Sequence, residues 1–163
     1  MSGGRLLAAE AAADHPDFAL ALGFPPDLPE GGALVLGSRV QLSRLLTNLT
    51  DNARRHARTS VALTVRTGDR GVELAVDDDG PGIPEADRER VFARFTRLDV
   101  ARARHDGGTG LGLAIARNIA HTHGGSLTAH TSPQGGARLL LRLPTPQYRN
   151  DSMHTSAHRS VRT

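Results

Sequence analysis

Four short stretches of the chain carry residue types that could do chemistry. In "NLTDN", Asn48 and Asn52 stand four apart, so a helix would stack their side chains on one face. Asn is only a middling helix former, and two on one face offer side-chain oxygens suited to Mg²⁺. A plain solvated face is the competing reading. In "DDDGPGIP", residues 77–84, three carboxylates end the apolar run from Val72 to Val76. Crowded like charges cost free energy unless a cation, a hydrogen-bond donor or water takes them up. A carboxylate at the end of a buried strand can accept a hydrogen bond from an exocyclic amine such as the N6 group of adenine. The glycines that follow let a ligand approach the backbone closely. A tight turn rich in turn formers explains the same stretch equally well.

The third stretch is "GGTGLGLAIAR", where Gly108, Gly110 and Gly112 precede or open a helix. Helix N-terminal amides and the helix dipole favour an anion such as a phosphate. A dinucleotide-binding fingerprint fails here: the spacing is G-x-G-x-G, a charged loop precedes it, and no acidic residue lies about 20 positions on. A glycine hinge with a purely structural role stays open. The fourth is "RVFARFTRLD". Phe92 and Phe95 are expected to pack into the core, while Arg94 and Arg97 flank them and could reach phosphates or simply face solvent. The histidines make no metal site. His121 and His123 are two apart, pointing to different sides of a helix, and the other six are scattered.

These residues need elements to position them. "FALALGF" (18–24) alternates as a strand, and "ALVLG" (33–37) reads as a second short one. Val40, Leu42, Leu45, Leu46, Leu49 and Ala53 recur at helical spacing, with Ser38 as N-cap. Residues 60–68 and 71–79 alternate around a Gly-Asp-Arg-Gly turn, an antiparallel hairpin. "PEADRERVFARF" reads as a short amphipathic helix opened by Pro84. Residues 97–109 lack a period, carry many charges and end in glycines, the marks of a mobile loop. A helix closed by Gly124 follows, then a hairpin of "SLTAHTS" and "ARLLLRLP" joined by "PQGG". The order predicts an α+β fold, a two-layer α/β sandwich with a mixed, mostly antiparallel sheet and helices on one face. Residues 1–15 form an N-terminal arm, 16–144 the domain, and 145–163 a disordered tail without apolar content.

Composition narrows the function. The chain has 163 residues, no cysteine, a net charge of +3 and a pI near 10.8. All 20 basic residues are Arg. The absence of Lys closes the P-loop route to a nucleotide, which needs its lysine. Aromatic content of 3% leaves few rings for base stacking, so no nucleic-acid partner is expected. No apolar run approaches the roughly 20 residues of a membrane span, and the acidic, broken N-terminus does not resemble a signal peptide. A cytoplasmic domain without a membrane segment is expected.

Taken together and in order, the four stretches resemble the ATP-binding catalytic domain of sensor histidine kinases, of the Bergerat-type superfamily shared with gyrase, Hsp90 and MutL. "LLTNLTDNARRHA" is similar to the N box, "VDDDGPGIP" to the G1 box, "VFARFTRLD" to the F box and "GGTGLGLAIAR" to the G2 box. The resemblance implies ATP and Mg²⁺ as ligands. It implies that Asn52 coordinates the metal, that Asn48 helps hold metal and phosphates in the catalytic arrangement, and that Arg55 contacts phosphate. Asp78 would bind the adenine amine, and Gly80 and Gly82 would let the base slide in. Asp77 and Asp79 would face solvent or neighbouring backbone amides. Gly108, Thr109, Gly110, Leu111 and Gly112 would flank the triphosphate, residues 97–109 would be the ATP lid, and Arg97 would touch the γ-phosphate.

The same resemblance implies two partners: a dimerisation segment carrying the acceptor histidine, and a response regulator downstream. Only His15 precedes residue 56, and Pro16 after it argues against a continuing helix. The acceptor is therefore expected on another segment, whose parent kinase could be membrane-anchored. A serine kinase that also binds a sigma factor and a nucleotide-binding regulator without transfer are the alternatives. Acid separates the two kinases, because phosphoserine survives it and phosphohistidine does not.

Overall fold

The computed structural model describes residues 19–23, 35–93 and 110–145. Among them, five strands form one sheet: β1 (Ala19–Gly23), β2 (Ser60–Gly68), β3 (Gly71–Asp78), β4 (Ser126–Thr131) and β5 (Ala137–Leu143). Their order is β1-β2-β3-β5-β4, with β1 parallel to β2 and every other pair antiparallel. Two helices, α1 (Arg39–His56) and α2 (Gly112–Thr122), pack on the sheet. The architecture is the expected α+β sandwich.

Helix α1 forms where its apolar spacing predicts. Ser38 caps it, its Oγ accepting from the Gln41 amide at 3.3 Å. Leu42, Leu45, Leu46, Leu49 and Ala53 turn inward, while Val40, two residues before Leu42, falls on the opposite face and is 79% exposed. Arg54, Arg55 and His56 close the last turn, complementing the helix dipole. Helix α2 ends as glycine dictates. Gly124 takes φ +76°, and the Gly125 amide returns to the Ala120 carbonyl at 2.9 Å.

Alternation sorts the sheet. Val61, Leu63 and Val65 of β2 join Val72, Leu74 and Val76 of β3 in the core beneath the helices, together with Leu139 and Leu141 of β5. The alternate positions of β3, Glu73, Ala75 and Asp77, point to the other face. There the register pairs Glu73 with Arg142 and Asp77 with Arg138, and both pairs form ion pairs, at 3.5 and 2.6 Å.

Two expected elements differ. Residues 35–37 are irregular rather than a strand, and 33–34 lie outside the described residues. A strand needs a ladder partner, but the backbone here is committed to entering α1: the Ser38 amide donates to His123 Nε2 at 3.1 Å. The helix expected from Pro84 is instead two single 3₁₀ turns, Glu85–Asp87 and Arg90–Phe92. Only Phe92 in them is buried, too narrow an apolar stripe to hold a continuous helix. Phe92 does reach the core, under the Arg117 guanidinium of α2 at 4.8 Å from the ring centre. The arm, Phe95 and the tail beyond Thr145 fall outside the described residues.

Candidate functional site

Asp78 closes β3 on the helix-facing side of the sheet and is 2% exposed. A buried carboxylate must be met by donors, and two backbone amides meet it. Gly80 donates to Oδ1 at 2.9 Å and Ala137, the first residue of β5, at 3.1 Å. The Asp78 carbonyl accepts from the Ser132 hydroxyl at 2.8 Å, and that oxygen in turn accepts from the Gln134 amide at 3.0 Å. The turn between β4 and β5 thus grips both ends of Asp78. Among the described residues, Oδ2 accepts nothing, so one carboxylate oxygen is held by two amides and the other keeps its accepting capacity.

Glycines make this grip possible. A Cβ on Gly136 would strike the carbonyl and the Oδ1 of Asp78, and one on Gly80 would strike the His56 carbonyl at the end of α1. The structure therefore gives Gly80 a reason the sequence did not: it is buried and lets β3 close on α1. Gly82 takes φ +78°, a conformation that favours glycine, and lies against the Gly136 carbonyl.

The other half of the site lies on α1. Asn48 and Asn52 are both half-buried. Asn48 Nδ2 is buried and has no hydrogen-bond partner among the described residues. A buried amide without a partner costs free energy unless a ligand supplies one, and a phosphate oxygen would. Gly112, the first residue of α2, lies beside it: a Cβ there would stand 4.0 Å from Asn48 Cγ. No side chain caps the α2 N-terminus, so its first amides point outward. Gly110 takes φ +70° and Leu111 occupies the cap position. Helix α1 thus links an amide-rich corner at Asn48 to the Asp78 carboxylate beside its C-terminus. Arg55 is exposed. Arg97, Gly108 and Thr109 fall outside the described residues.

The three carboxylates of "DDDGPGIP" have three fates. Asp78 faces the site. Asp77, expected to meet solvent or neighbouring backbone amides, is instead 4% exposed and held by a side chain, Arg138, whose Nε and Nη2 donate at 2.6 and 2.8 Å. That contact raises the Arg138 pKa above its ordinary value. Asp79 does meet backbone amides. Its carboxylate accepts from the amides of Arg58 at 2.8 Å, Thr59 at 3.1 Å and Ser60 at 3.3 Å, and from the Thr59 hydroxyl.

These donors, the Thr59 hydroxyl first, hold the Asp79 carboxyl well below its usual value near 3.8. A depressed carboxylate contributes stability that is complete above its unfolded-state value and lost as pH falls through the folded one. Acid should therefore erode stability progressively below about pH 4, and Asp79→Asn should flatten that part of the curve. Urea midpoints measured from about pH 5 down to pH 2 check this; an unchanged slope in the variant would assign the acid limb to other groups.

Sequence reasoning missed Gly136, Ser132 and the Ala137 amide. The "PQGG" stretch reads only as a turn, and nothing local announces that it closes on Asp78, 54 or more positions earlier. No group of three or more His, Cys, Asp or Glu residues suited to a metal occurs among the described residues. His123 is buried and spends both ring nitrogens on protein, Nδ1 on the Ile119 carbonyl and Nε2 on Ser38.

Comparison with known proteins places the fold among relatives. Residues 37–147 match the family model described as histidine kinase-, DNA gyrase B-, and HSP90-like ATPase. The chain is 41% identical over 125 residues to the sensor histidine kinase CpxA of Escherichia coli K12, covering 77% of this chain and 26% of that protein. It therefore spans about a quarter of that relative's length. The crystal structure of the ATP-binding domain of PrrB from Mycobacterium tuberculosis superposes with a TM-score of 0.65 at 36% identity, covering 86% of this chain and 90% of that one. Full-length ShkA, crystallised with AMPPNP, superposes at 0.70 with 28% identity, covering 87% of this chain and 29% of that one. On the matched family model and these relatives, the chain belongs to the histidine kinase-, DNA gyrase B-, and HSP90-like ATPase family.

Proposed function

We propose that this chain is the catalytic domain of a two-component sensor histidine kinase, binding Mg–ATP and donating the γ-phosphoryl group to a histidine on a dimerisation segment. The observation that carries this reading is Asp78: a buried carboxylate with one oxygen pinned by two amides and the other without a donor among the described residues, on a fold whose relatives are sensor kinases. The adenine amine would donate to Asp78 Oδ2. The unpartnered Asn48 amide and the α2 N-terminus suit the phosphates, and Arg55, exposed in the last turn of the helix that carries Asn48, is assigned as a further cation. ShkA crystallised with AMPPNP and the PrrB ATP-binding domain support a nucleotide here.

The side-chain oxygens of Asn48 and Asn52, one turn apart on α1, form a donor set that fits Mg²⁺. When bound, the metal would neutralise phosphate charge. The chain's own part is positioning, which dominates phosphoryl transfer. An acceptor imidazole nitrogen forms the new P–N bond as the bond from the γ-phosphorus to the bridging oxygen breaks, and ADP leaves. Arg97, Gly108 and Thr109 are assigned to the triphosphate on the resemblance alone. A response regulator receives the phosphoryl group in this scheme. No helix of the described residues is long and apolar enough to cross a membrane, and we place the domain in the cytoplasm, where ATP is available.

Calorimetric titration of the folded chain with ATP, with and without Mg²⁺, tests the proposal. Binding in the micromolar to millimolar range, strengthened by Mg²⁺, is expected; no binding would overturn it. In the same experiment Asn52→Ala should erase most of the gain from Mg²⁺ and leave metal-free affinity nearly unchanged. A variant that keeps the full metal effect would remove Asn52 from the metal site.

A further inference from the structure

We infer that Asp79 is a positioning residue that sets the spacing between the adenine-binding and the phosphate-binding halves of the site, an inference that rests on the nucleotide reading above. The two halves lie on different elements. Asp78 ends β3, whereas Asn48 and Asn52 lie on α1, whose exit toward β2 runs through residues 57–59. Asp79 joins them. It follows Asp78 directly in the chain, and its carboxylate gathers the backbone amides of Arg58, Thr59 and Ser60 together with the Thr59 hydroxyl. Three successive residues, two of the α1 exit and the first of β2, are thereby tied to a single side chain of the β3 exit.

The neighbouring contacts make this tie directional. Gly80, the next residue, packs on the His56 carbonyl at the last turn of α1 and donates its amide to Asp78 Oδ1. A shift of the α1 exit is therefore transmitted to the residues flanking Asp78, and Asp79 is the polar group that resists it. A ligand that reaches from Asp78 to Asn48 requires both halves at once, and preorganisation of their spacing is what the clasp supplies. Adenosine reaches only the Asp78 half.

The prediction follows from that difference. Asp79→Asn keeps one accepting oxygen but loses the fan of charge-assisted bonds. Mg–ATP affinity of the folded variant should fall about three- to tenfold, while adenosine affinity, followed by chemical-shift titration, should stay at the wild-type value. Thr59→Val, which removes only the hydroxyl donor, should show the same pattern with a smaller loss, and serves if Asp79→Asn does not fold. A general structural role would lower the melting temperature and leave both affinities of the folded protein alone, overturning the inference. Equal losses for adenosine and Mg–ATP would also overturn it, because they would place Asp79 in the adenine half itself. Failure of the wild type to bind either ligand would instead remove the nucleotide reading, and this inference with it.

Discussion

Asp78→Asn is expected to weaken ATP binding about ten- to hundredfold while leaving the fold nearly intact. The side chain is isosteric, and its single oxygen can still accept the Gly80 and Ala137 amides that now converge on Oδ1. Those two donors dictate which way the amide must turn. Its NH₂ group then takes the place of Oδ2 and presents a donor to the adenine amine, itself a donor. One charge-assisted hydrogen bond is lost and a repulsive pair replaces it, which accounts for about 1.5–3 kcal/mol. Asp78→Ala should behave differently, because it strands two buried amides at a cost of about 1–3 kcal/mol each. Calorimetry and thermal melts on the two variants separate recognition from folding. An Asn variant that binds ATP as the wild type does would remove Asp78 from the adenine site.

Gly136→Ala should be among the most damaging single-methyl additions to this chain. Its Cβ would meet the Asp78 carbonyl and Oδ1, and neither can yield, since both are held by β5 and by the β4–β5 turn. Overpacking against fixed backbone falls at the upper end of a range of about 1–3 kcal/mol. Gly135, its neighbour, provides the control. It takes φ +87°, but a Cβ there meets nothing within 4 Å, so Gly135→Ala costs only the left-handed conformation, roughly 1–2 kcal/mol. Both variants should melt earlier than the wild type. Only Gly136→Ala should also lose nucleotide affinity, because only it displaces the Asp78 carboxylate. Equal binding by the two would show that the turn supports β3 without aiming its carboxylate.

Much of this site was legible in the chain because its signals are local. The 3- and 4-residue spacing from Leu42 to Ala53 specifies α1, and with it the stacking of Asn48 and Asn52 on one turn-to-turn row. Alternation from Val72 to Val76 places Asp78 on the core side of β3 and Asp77 on the other. Ser38 and Gly124 mark helix ends by capping chemistry that needs no distant partner. The stretch from Pro84 shows the limit of such reading. Its charges and apolar residues suggest a helix, yet the turns it forms bury only Phe92 and stop.

What the sequence by itself determined was most of the inventory: α1 and α2, though not the short helix read from Pro84, a mostly antiparallel sheet, an asparagine pair, a carboxylate cluster and glycines ahead of a helix. Only the tertiary structure decided which partner each member of that inventory takes. Asp77 is silenced by Arg138, 61 positions away, because the β3–β5 register sets them opposite each other. Asp78 is aimed by Ala137 and given room by Gly136, and Asp79 is spent on the exit of α1. Three adjacent residues of one type differ in role because pleat and register bring each to a different neighbour, and register is a property of strand pairs that no single strand contains.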